Sequence, residues 1–261
     1  MSEEWKEGTE AHYRDPLYYD LTYDERHDDV FFYTDVAKRS GGAVLELGVG
    51  TGRVASELAL AGVDVVGIDP MPEMMERARA RFRHLPPEVA RRIELRKGDL
   101  KRLRLRRKFS LVIAPFNVFM HLYTREDVEA ALATVRHHLK PRGTFAFDVL
   151  MPMASELALN PAKFHRGKSF KHPLDKVRYG YSERFEYDSV SQVQTVTMRF
   201  LAKDEGHASF DVPLAHRQFF PAELEALLHY NGFRLESRWG GFAGEPFDGE
   251  ADSQVVVARL R

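Results

Sequence analysis

The sequence predicts an α/β fold: a mostly parallel sheet with helices on both faces, and a separate antiparallel β segment. Between residues 43 and 150, short apolar β-branched runs alternate with segments of helical periodicity, which is typical of a parallel sheet covered on both faces. Residues 176–219 instead contain consecutive strand-like runs joined by turns, as in an antiparallel meander. Parallel sheets of this kind bind ligands at the carboxyl ends of their strands.

The elements follow in chain order. Strands of the parallel sheet are predicted at 43–47, 64–68, 92–96, 109–114 and 144–149. The helices between them are predicted at 52–61, 71–84 and 125–139. The antiparallel segment is predicted to contain strands at 177–189, 191–203 and 207–220. A last helix is predicted at 221–233, where Pro221 suits the first turn and Gly232 the C-cap, followed by a closing strand pair at 233–239 and 253–260.

Composition narrows the class of protein. A chain of 261 residues with 44% hydrophobic and 11% aromatic residues can form one large domain, or a core domain with an insertion. The net charge of -1 gives no overall attraction to nucleic acid or to anionic membranes. The absence of cysteine excludes disulfides, thiolate metal sites and a cysteine nucleophile. With a polar, acidic beginning and no apolar run of about 20 residues, we expect a soluble, cytoplasmic protein.

The stretch VLELGVGTG contains the strongest local signal. Gly48, Gly50 and Gly52 follow the first strand and open a helix. Glycine permits close backbone approach, and a helix N-terminus offers free N–H groups to a ligand. Asp69 ends the second strand, where a carboxylate can accept hydrogen bonds from both ribose hydroxyls of an adenosine. These features fit either a dinucleotide or S-adenosylmethionine.

Spacing and charge separate the two ligands. The dinucleotide fingerprint is G-x-G-x-x-G, whereas this sequence has G-x-G-x-G. Glu46 precedes the first glycine by two residues, where its carboxylate would repel a pyrophosphate but suit an ammonium group. The pattern therefore favours S-adenosylmethionine, which carries an ammonium and a sulfonium, over NAD.

Five signposts in order resemble the class I S-adenosylmethionine-dependent methyltransferases: VLELGVGTG, GIDP, GDL, LVIAPFNVFMHL and LKPRGTFAFDV. The N-terminal YYDLTY and the β-rich insertion are similar to the small-molecule branch, which includes glycine-type and amino-sugar N-methyltransferases. The resemblance implies a Rossmann-like, seven-stranded, mostly parallel sheet whose last strand is antiparallel. It also implies three parts: a helical cover (1–42), an S-adenosylmethionine-binding domain (43–165 and 218–261), and an insertion (166–217) that serves as substrate lid, dimer contact or both.

The resemblance assigns cofactor roles to residues along these motifs. Glu46, Gly48, Gly50 and Gly52 would surround the methionine part, and Arg53 would pair with its carboxylate or remain a solvated helix residue. Asp69 would bind the ribose. The expected adenine neighbours are Pro70, Met71, Asp99 and Leu100. Further contacts are expected from the end of the fourth strand and from the cover, through Pro115, Phe116, Asn117, Tyr19, Tyr23 and Tyr33.

The expected reaction is transfer of a methyl group, by in-line displacement, to an N or O atom of a small-molecule acceptor. An amine must arrive neutral, while a phenol or enol needs a base. His121 follows the fourth strand at the active edge, where it could be a general base, cap the next helix or brace the loop. No histidine spacing suggests a metal site. The residues leave N-, O- and C-methylation open.

Segment 91–108 supports an alternative acceptor. It has ten basic residues against two acids, as a nucleic-acid methyltransferase would use to contact phosphates. It lacks interleaved aromatic residues for stacking bases, and the acidic N-terminus offsets its charge, so we favour a small molecule. A nucleic-acid or protein acceptor, and a cofactor-binding protein without turnover, remain the other hypotheses.

Overall fold

The structure, a computed structural model, describes residues 3–261. Its strands in chain order are β1 Val44–Leu47, β2 Val65–Asp69, β3 Ile93–Lys97, β4 Phe109–Ala114, β5 Leu139–Leu150, β6 His165–Arg166, β7 Phe170–Lys171, β8 Arg178–Asp188, β9 Val193–Ala202, β10 Phe210–Arg217, β11 Phe233–Trp239 and β12 Ser253–Leu260. The α-helices are α1 Glu3–Glu10, α2 Pro16–Tyr23, α3 Asp28–Ser40, α4 Arg53–Leu60, α5 Pro72–Phe82, α6 Pro87–Ala90, α7 Arg125–His138, α8 Ala154–Leu157 and α9 Pro221–Tyr230.

Seven strands form the main sheet in the order β11-β12-β5-β4-β1-β2-β3. β1 to β5 pair in parallel, whereas β12 lies antiparallel between β5 and β11. The fold class predicted from the sequence is therefore confirmed, including the antiparallel last strand. The parallel order reverses beside β1 and β4, which is where a sheet of this kind opens a ligand crevice.

The main sheet is buried on both faces because its strands alternate between two apolar layers. Leu45 and Leu47 of β1 pack on the side that carries α7 and α9, together with Phe145 and Phe147 of β5. Val44 of β1 packs on the opposite side with residues from α3 and α4. Successive side chains of a strand point to opposite faces. Because both faces are buried, the strands are continuous apolar runs in the sequence.

A second, antiparallel sheet has the order β10-β9-β8-β6, with β7 also paired to β8. The three long strands match the predicted meander. The two-residue strands β6 and β7 were not predicted, since two residues are too few to show a strand periodicity. β5 also begins at Leu139, five residues earlier than predicted, because Leu139 already pairs with Phe109 before the register shifts.

The N-terminal helices join the two sheets. α1 lies against β10, and Gly8 makes this possible because a Cβ atom there would lie 2.8 Å from the Cβ of Ala215. α2 is tied to α5 by Asp20, which accepts from Arg77 at 2.5 Å and from Arg81 at 3.0 Å. Within residues 3–261, no helix combines the length and the apolar character that crossing a bilayer requires.

Candidate active site

A cavity of about 360 Å³ opens at the carboxyl ends of β1, β2 and β4, within the roughly 300–1,000 Å³ typical of small-molecule sites. It has two walls. The glycine-turn wall comprises Glu46, Gly48, Gly50, Asp69 and Asp99 with their neighbours. The cover wall comprises Thr9, Tyr13, Tyr19, Phe116 and His121. The cavity thus lies where the sheet and the N-terminal helices meet.

The glycine turn needs glycine for a steric reason. Gly48, Gly50 and Gly52 have φ values of 71°, 55° and 80°, which side-chain-bearing residues rarely adopt. A Cβ on Gly48 would lie 2.5 Å from Cγ2 of Val118. The backbone of the turn is therefore in direct contact with the segment that follows β4.

Asp69 fixes the glycine turn through hydrogen bonds from backbone amides. Its Oδ2 accepts from the Gly50 amide at 2.9 Å, and its Oδ1 accepts from the Met71 amide at 2.8 Å. Burial raises the pKa of Asp69 to about 6, against the opposing effect of these two amides. Each carboxylate oxygen retains a lone pair, so Asp69 can accept ligand hydroxyls while it fixes the turn.

Two buried polar atoms face the cavity without a hydrogen-bond partner in the described part of the chain: Glu46 Oε2 and Thr51 Oγ1. Burial raises the pKa of Glu46 well above its usual value, although Arg53 opposes this shift. A buried acceptor left unpaired is costly unless a ligand satisfies it. Glu46 fits an ammonium group, and the Thr51 hydroxyl can donate to a carboxylate. This pair matches the amino-acid end of S-adenosylmethionine.

Arg53 lines the cavity but already has an anionic partner. Its Nη1 and Nη2 donate to the two carboxylate oxygens of Asp29 at 2.8 and 2.6 Å, and Nη1 also donates to the Arg26 carbonyl at 2.8 Å. Its guanidinium lies 5.6 Å from the ring centroid of Phe116. Arg53 therefore anchors α3 to α4 rather than standing solvated on its helix, and Nε keeps a donor for a ligand.

The far end of the cavity contains the residues predicted beside adenine. Pro70, Met71, Asp99 and Leu100 all line it. Asp99 Oδ1 accepts from the Lys101 amide at 2.8 Å, so its other oxygen stays available. Lys101, which also lines the cavity, forms an ion pair with Asp127 at 3.0 Å. Of the basic residues in segment 91–108, Lys101 alone lines this cavity.

Tyr13 and His121 meet on the cover wall. The Tyr13 hydroxyl lies 2.6 Å from His121 Nε2, and the Tyr123 hydroxyl lies 3.4 Å from His121 Nδ1. Tyr123 donates to the Ala215 carbonyl, so its oxygen can accept from Nδ1. We assign the Nδ1–H tautomer, in which Nε2 accepts from Tyr13. Burial, reinforced by His12, lowers the pKa of His121 to about 4, so the ring is neutral near pH 7.

Four predicted cofactor residues do not line the cavity, so their contact with a cofactor stays a prediction. Tyr33 is fully buried and donates to Asp148 Oδ1 at 2.6 Å. Tyr23 packs behind Phe116, with ring centroids 4.9 Å apart. Gly52 lies against Phe82, whose ring a Cβ would meet at 2.5 Å. The backbone amide of Asn117 donates to Asp148 Oδ2 at 3.1 Å.

The remaining predicted residues do line the cavity, namely Glu46, Gly48, Gly50, Arg53, Asp69, Pro70, Met71, Asp99, Leu100, Pro115, Phe116, Tyr19 and His121. The sequence did not single out Thr9, Glu10, Tyr13, Thr51 or Val118, which line it as well. Thr51 stands inside the glycine turn, so its motif position was a usable signal. Tyr13 had none, because its partner His121 lies 108 residues away.

Several known methyltransferases are similar to this chain in sequence and in fold. Residues 44–143 match the family described as a methyltransferase domain. The chain is 26% identical to a cypemycin N-terminal methyltransferase from a Streptomyces species, over 83% of this chain and 82% of the relative. It is 28% identical to the dTDP-3-amino-3,4,6-trideoxy-alpha-D-glucopyranose N,N-dimethyltransferase of Streptomyces venezuelae, over 77% of this chain and 79% of the relative.

Structural similarity extends over nearly the whole chain. The CcbJ methyltransferase from Streptomyces caelestis superposes with a TM-score of 0.77 and 27% sequence identity, covering 92% of this chain and 96% of that one. The similarity therefore includes the N-terminal helices and the second sheet, beyond the matched domain. Together with the cavity and its unpaired Glu46, these findings show that the protein is an S-adenosylmethionine-dependent methyltransferase.

Proposed function

We propose that the protein transfers the methyl group of S-adenosylmethionine to a nitrogen atom of a small-molecule amine. One observation carries this proposal. The glycine-turn wall, with its unpaired Glu46, and the Tyr13–His121 pair of the cover wall line the same cavity. A cofactor held on the first wall and a nucleophile held on the second would face each other.

The glycine-turn wall would hold the cofactor. Glu46 would accept from its ammonium group, Thr51 and Arg53 Nε would donate to its carboxylate, Asp69 would accept from its ribose, and Asp99 with Leu100 would bind its adenine. When bound, the cofactor would supply a methyl group on a cationic sulfonium; the lone pair of the acceptor would bond to the methyl carbon in line, and the neutral thioether would leave. The carboxylates of this wall complement that positive charge.

The cover wall would prepare the acceptor nitrogen. A protonated amine has no lone pair, so a proton must leave before the nitrogen can attack. His121 Nε2 is unprotonated in the assigned tautomer, and the Tyr13 hydroxyl stands 2.6 Å from it. Tyr13 would pass its own proton to Nε2 as it accepts one from the ammonium group. In this proposal Tyr13 touches the substrate and the neutral ring of His121 accepts the proton. Because burial lowers the pKa of His121 to about 4, the ring holds that proton only transiently.

The names of the relatives support nitrogen as the acceptor atom. One relative is an N-terminal methyltransferase and another an amino-sugar N,N-dimethyltransferase. Both names specify amines. The aromatic lining from Tyr13, Tyr19 and Phe116 suits an organic amine, since ring faces attract a cationic nitrogen.

The test uses S-adenosylmethionine labelled in its methyl group and matched acceptor pairs: an amino sugar nucleotide and its hydroxyl analogue, and a peptide with a free or acetylated N-terminus. We expect label in the amine of a pair and none in its partner. Label in a hydroxyl analogue would show O-methylation and would contradict the proposed N-methylation. The same labelled cofactor can be incubated with a cell extract. If nuclease treatment then removes the label from the large molecules of the extract, the acceptor is a nucleic acid. Binding of S-adenosylhomocysteine without any transfer would indicate a protein without turnover.

A dimer contact through the β-rich segment is part of this proposal. Within residues 3–261, β10 hydrogen-bonds to one strand, β9; α1 packs against β10, and Phe210 at its first position is exposed. An open strand edge can pair with a second copy. Light scattering should give twice the mass of one chain, and Phe210→Lys should reduce it to one. A single-chain mass for the unmodified protein would contradict the dimer.

A further inference from the structure

A strained turn, Phe116–Asn117, connects β4 to the 3₁₀ helix that ends at His121. Phe116 and Asn117 have φ values of 60° and 63°, so two consecutive residues with side chains are left-handed. This conformation is unfavourable for most residues with a side chain, above all for a bulky one such as Phe116, and it persists there only where the surroundings enforce it. Strain of this kind collects at functional sites, and Phe116 lines the cavity.

One carboxylate holds both residues of the turn. Asp148 Oδ1 accepts from the Phe116 amide at 2.7 Å, and Oδ2 accepts from the Asn117 amide at 3.1 Å. The Tyr33 hydroxyl donates to Oδ1 at 2.6 Å and fixes the carboxylate from the opposite side. Asp148 stands one residue beyond Phe147, which pairs with Ala114, the last residue of β4. The register of the sheet therefore places Asp148 directly under the turn.

The turn determines where the cover wall stands. Asn117 is the N-cap of a one-turn 3₁₀ helix, Val118–His121, whose last residue is the proposed proton acceptor. The Met120 amide donates to the Asn117 carbonyl at 2.8 Å, which couples the turn to this helix. Val118 meets the glycine turn at Gly48. A shift at Phe116–Asn117 would thus move both the aromatic wall and His121.

We propose that Asp148 is a positioning residue for methyl transfer, which acts by clamping the Phe116–Asn117 turn and thereby setting the place of His121 opposite the glycine turn. The proposal rests on the proposed function for the role of His121. The clamp itself is a property of the fold and can be observed without any acceptor. Tyr33, which the sequence assigned to the cofactor, serves in this arrangement as the second support of the carboxylate.

The test compares Asp148→Asn with Tyr33→Phe. The asparagine keeps the size of the side chain, but its NH₂ group cannot accept from a backbone amide. Tyr33→Phe leaves both contacts to the turn in place and is the matched control. Amide hydrogen exchange and long-range ¹H–¹⁵N NMR give the rates at Phe116 and Asn117 and the state of His121 Nε2. We expect exchange to accelerate about tenfold or more in Asp148→Asn, and the Nε2 signal to move towards that of free imidazole.

Turnover provides the second readout, with any acceptor found in the amine panel. We expect kcat of Asp148→Asn to fall about 100-fold, as for a displacement of the reacting groups by about 1 Å, while the Kd of S-adenosylhomocysteine rises less than tenfold. Tyr33→Phe should lose less than tenfold in kcat. Combining Asp148→Asn with Asn117→Gly should recover part of the loss, because glycine adopts the left-handed conformation without strain.

Unchanged exchange rates and an unchanged Nε2 signal in folded Asp148→Asn would overturn the proposal, and so would a double variant with no recovery. A lower melting temperature with normal kcat would assign Asp148 to stability alone. If Asp148→Asn does not fold, the NMR comparison of Tyr33→Phe with the unmodified protein decides instead, through a smaller shift of the same signals. Failure to find an amine acceptor would leave the NMR result standing, so the two proposals fail separately.

Discussion

The two walls of the cavity are built differently. The glycine-turn wall comes from one stretch, residues 46–101, and backbone amides hold two of its carboxylates, Asp69 and Asp99. The cover wall combines α1, the 3₁₀ helix Ala11–Arg14, α2 and the segment after β4, and side-chain contacts such as Tyr13–His121 hold it together. A wall fixed by the sheet suits a ligand that never changes, whereas a wall assembled from separate segments can be adapted to different acceptors.

Replacing His121, the proposed proton acceptor, should distinguish the two walls most clearly. We expect His121→Asn to reduce kcat by about 10²–10⁴-fold, the usual contribution of a general base, because Tyr13 would lose the group that takes its proton. Steady-state kinetics and calorimetry measure the two walls independently, and the affinity for S-adenosylhomocysteine should change little. His84→Asn, at an exposed histidine, is the control. Full activity in His121→Asn across pH would return this residue to a structural role.

Asp69→Ala tests the opposite wall. The substitution removes an acceptor for the ligand and also releases the Gly50 and Met71 amides, so cofactor binding should weaken by about 1–3 kcal/mol. Calorimetric titration with S-adenosylhomocysteine measures this loss. Glu73→Ala, an exposed acid in α5, should bind normally. An unchanged affinity in Asp69→Ala would remove Asp69 from the site.

Gly8→Val should loosen the cover wall alone. Its side chain cannot fit against Ala215, so α1 must move and carry Thr9 and Tyr13 with it. We expect kcat/KM for the acceptor to fall roughly tenfold, as for a modest misplacement of reacting groups, with cofactor affinity preserved. Gly249→Ala, where a Cβ meets nothing within 4 Å, is the control. Equal losses on both walls would show that they are not independent.

The last prediction concerns the pH dependence of cofactor affinity, which tests the carboxylates of the glycine-turn wall. Burial raises the pKa of Asp69 to about 6 and that of Glu46 well above its usual range. A cationic ligand favours the ionised carboxylates, so binding should release protons and tighten as pH rises. The affinity gain is at most about tenfold per pH unit for each proton released. Calorimetry in buffers of different ionisation enthalpy counts those protons, and proton uptake would contradict the assignment of both carboxylates.

Sequence reasoning worked where the structure is local. The turn after β1 and the acid that ends β2 lie within 24 residues, and the spacing of Glu46, three glycines and Asp69 indicated both the turn and its ligand. The fold class followed from the alternation of strands and helices. Glycines, caps and apolar runs act on their own neighbourhood, so one sequence is enough to interpret them.

Distant contacts were beyond the same reasoning. Tyr13 finds His121 only because α1 is seated on β10, and nothing in the N-terminal sequence specifies that seat. Tyr33 was placed at the cofactor because it stands among other tyrosines, but the helical rotation of α3 turns it inward to Asp148. Asp148 itself follows an ordinary apolar strand, and its role depends on a turn 32 residues earlier.

The contact between Gly8 and Ala215 has a consequence for engineering. Because α1 approaches β10 closely at Gly8 and Ala215, and Tyr18 packs against Val196, Met198 and Phe200 of the second sheet, we expect these two parts to be exchangeable only together. A chimaera with a relative should therefore transplant residues 3–40 and 165–217 together. Grafting either part alone would place a foreign surface in the contact between α1 and β10.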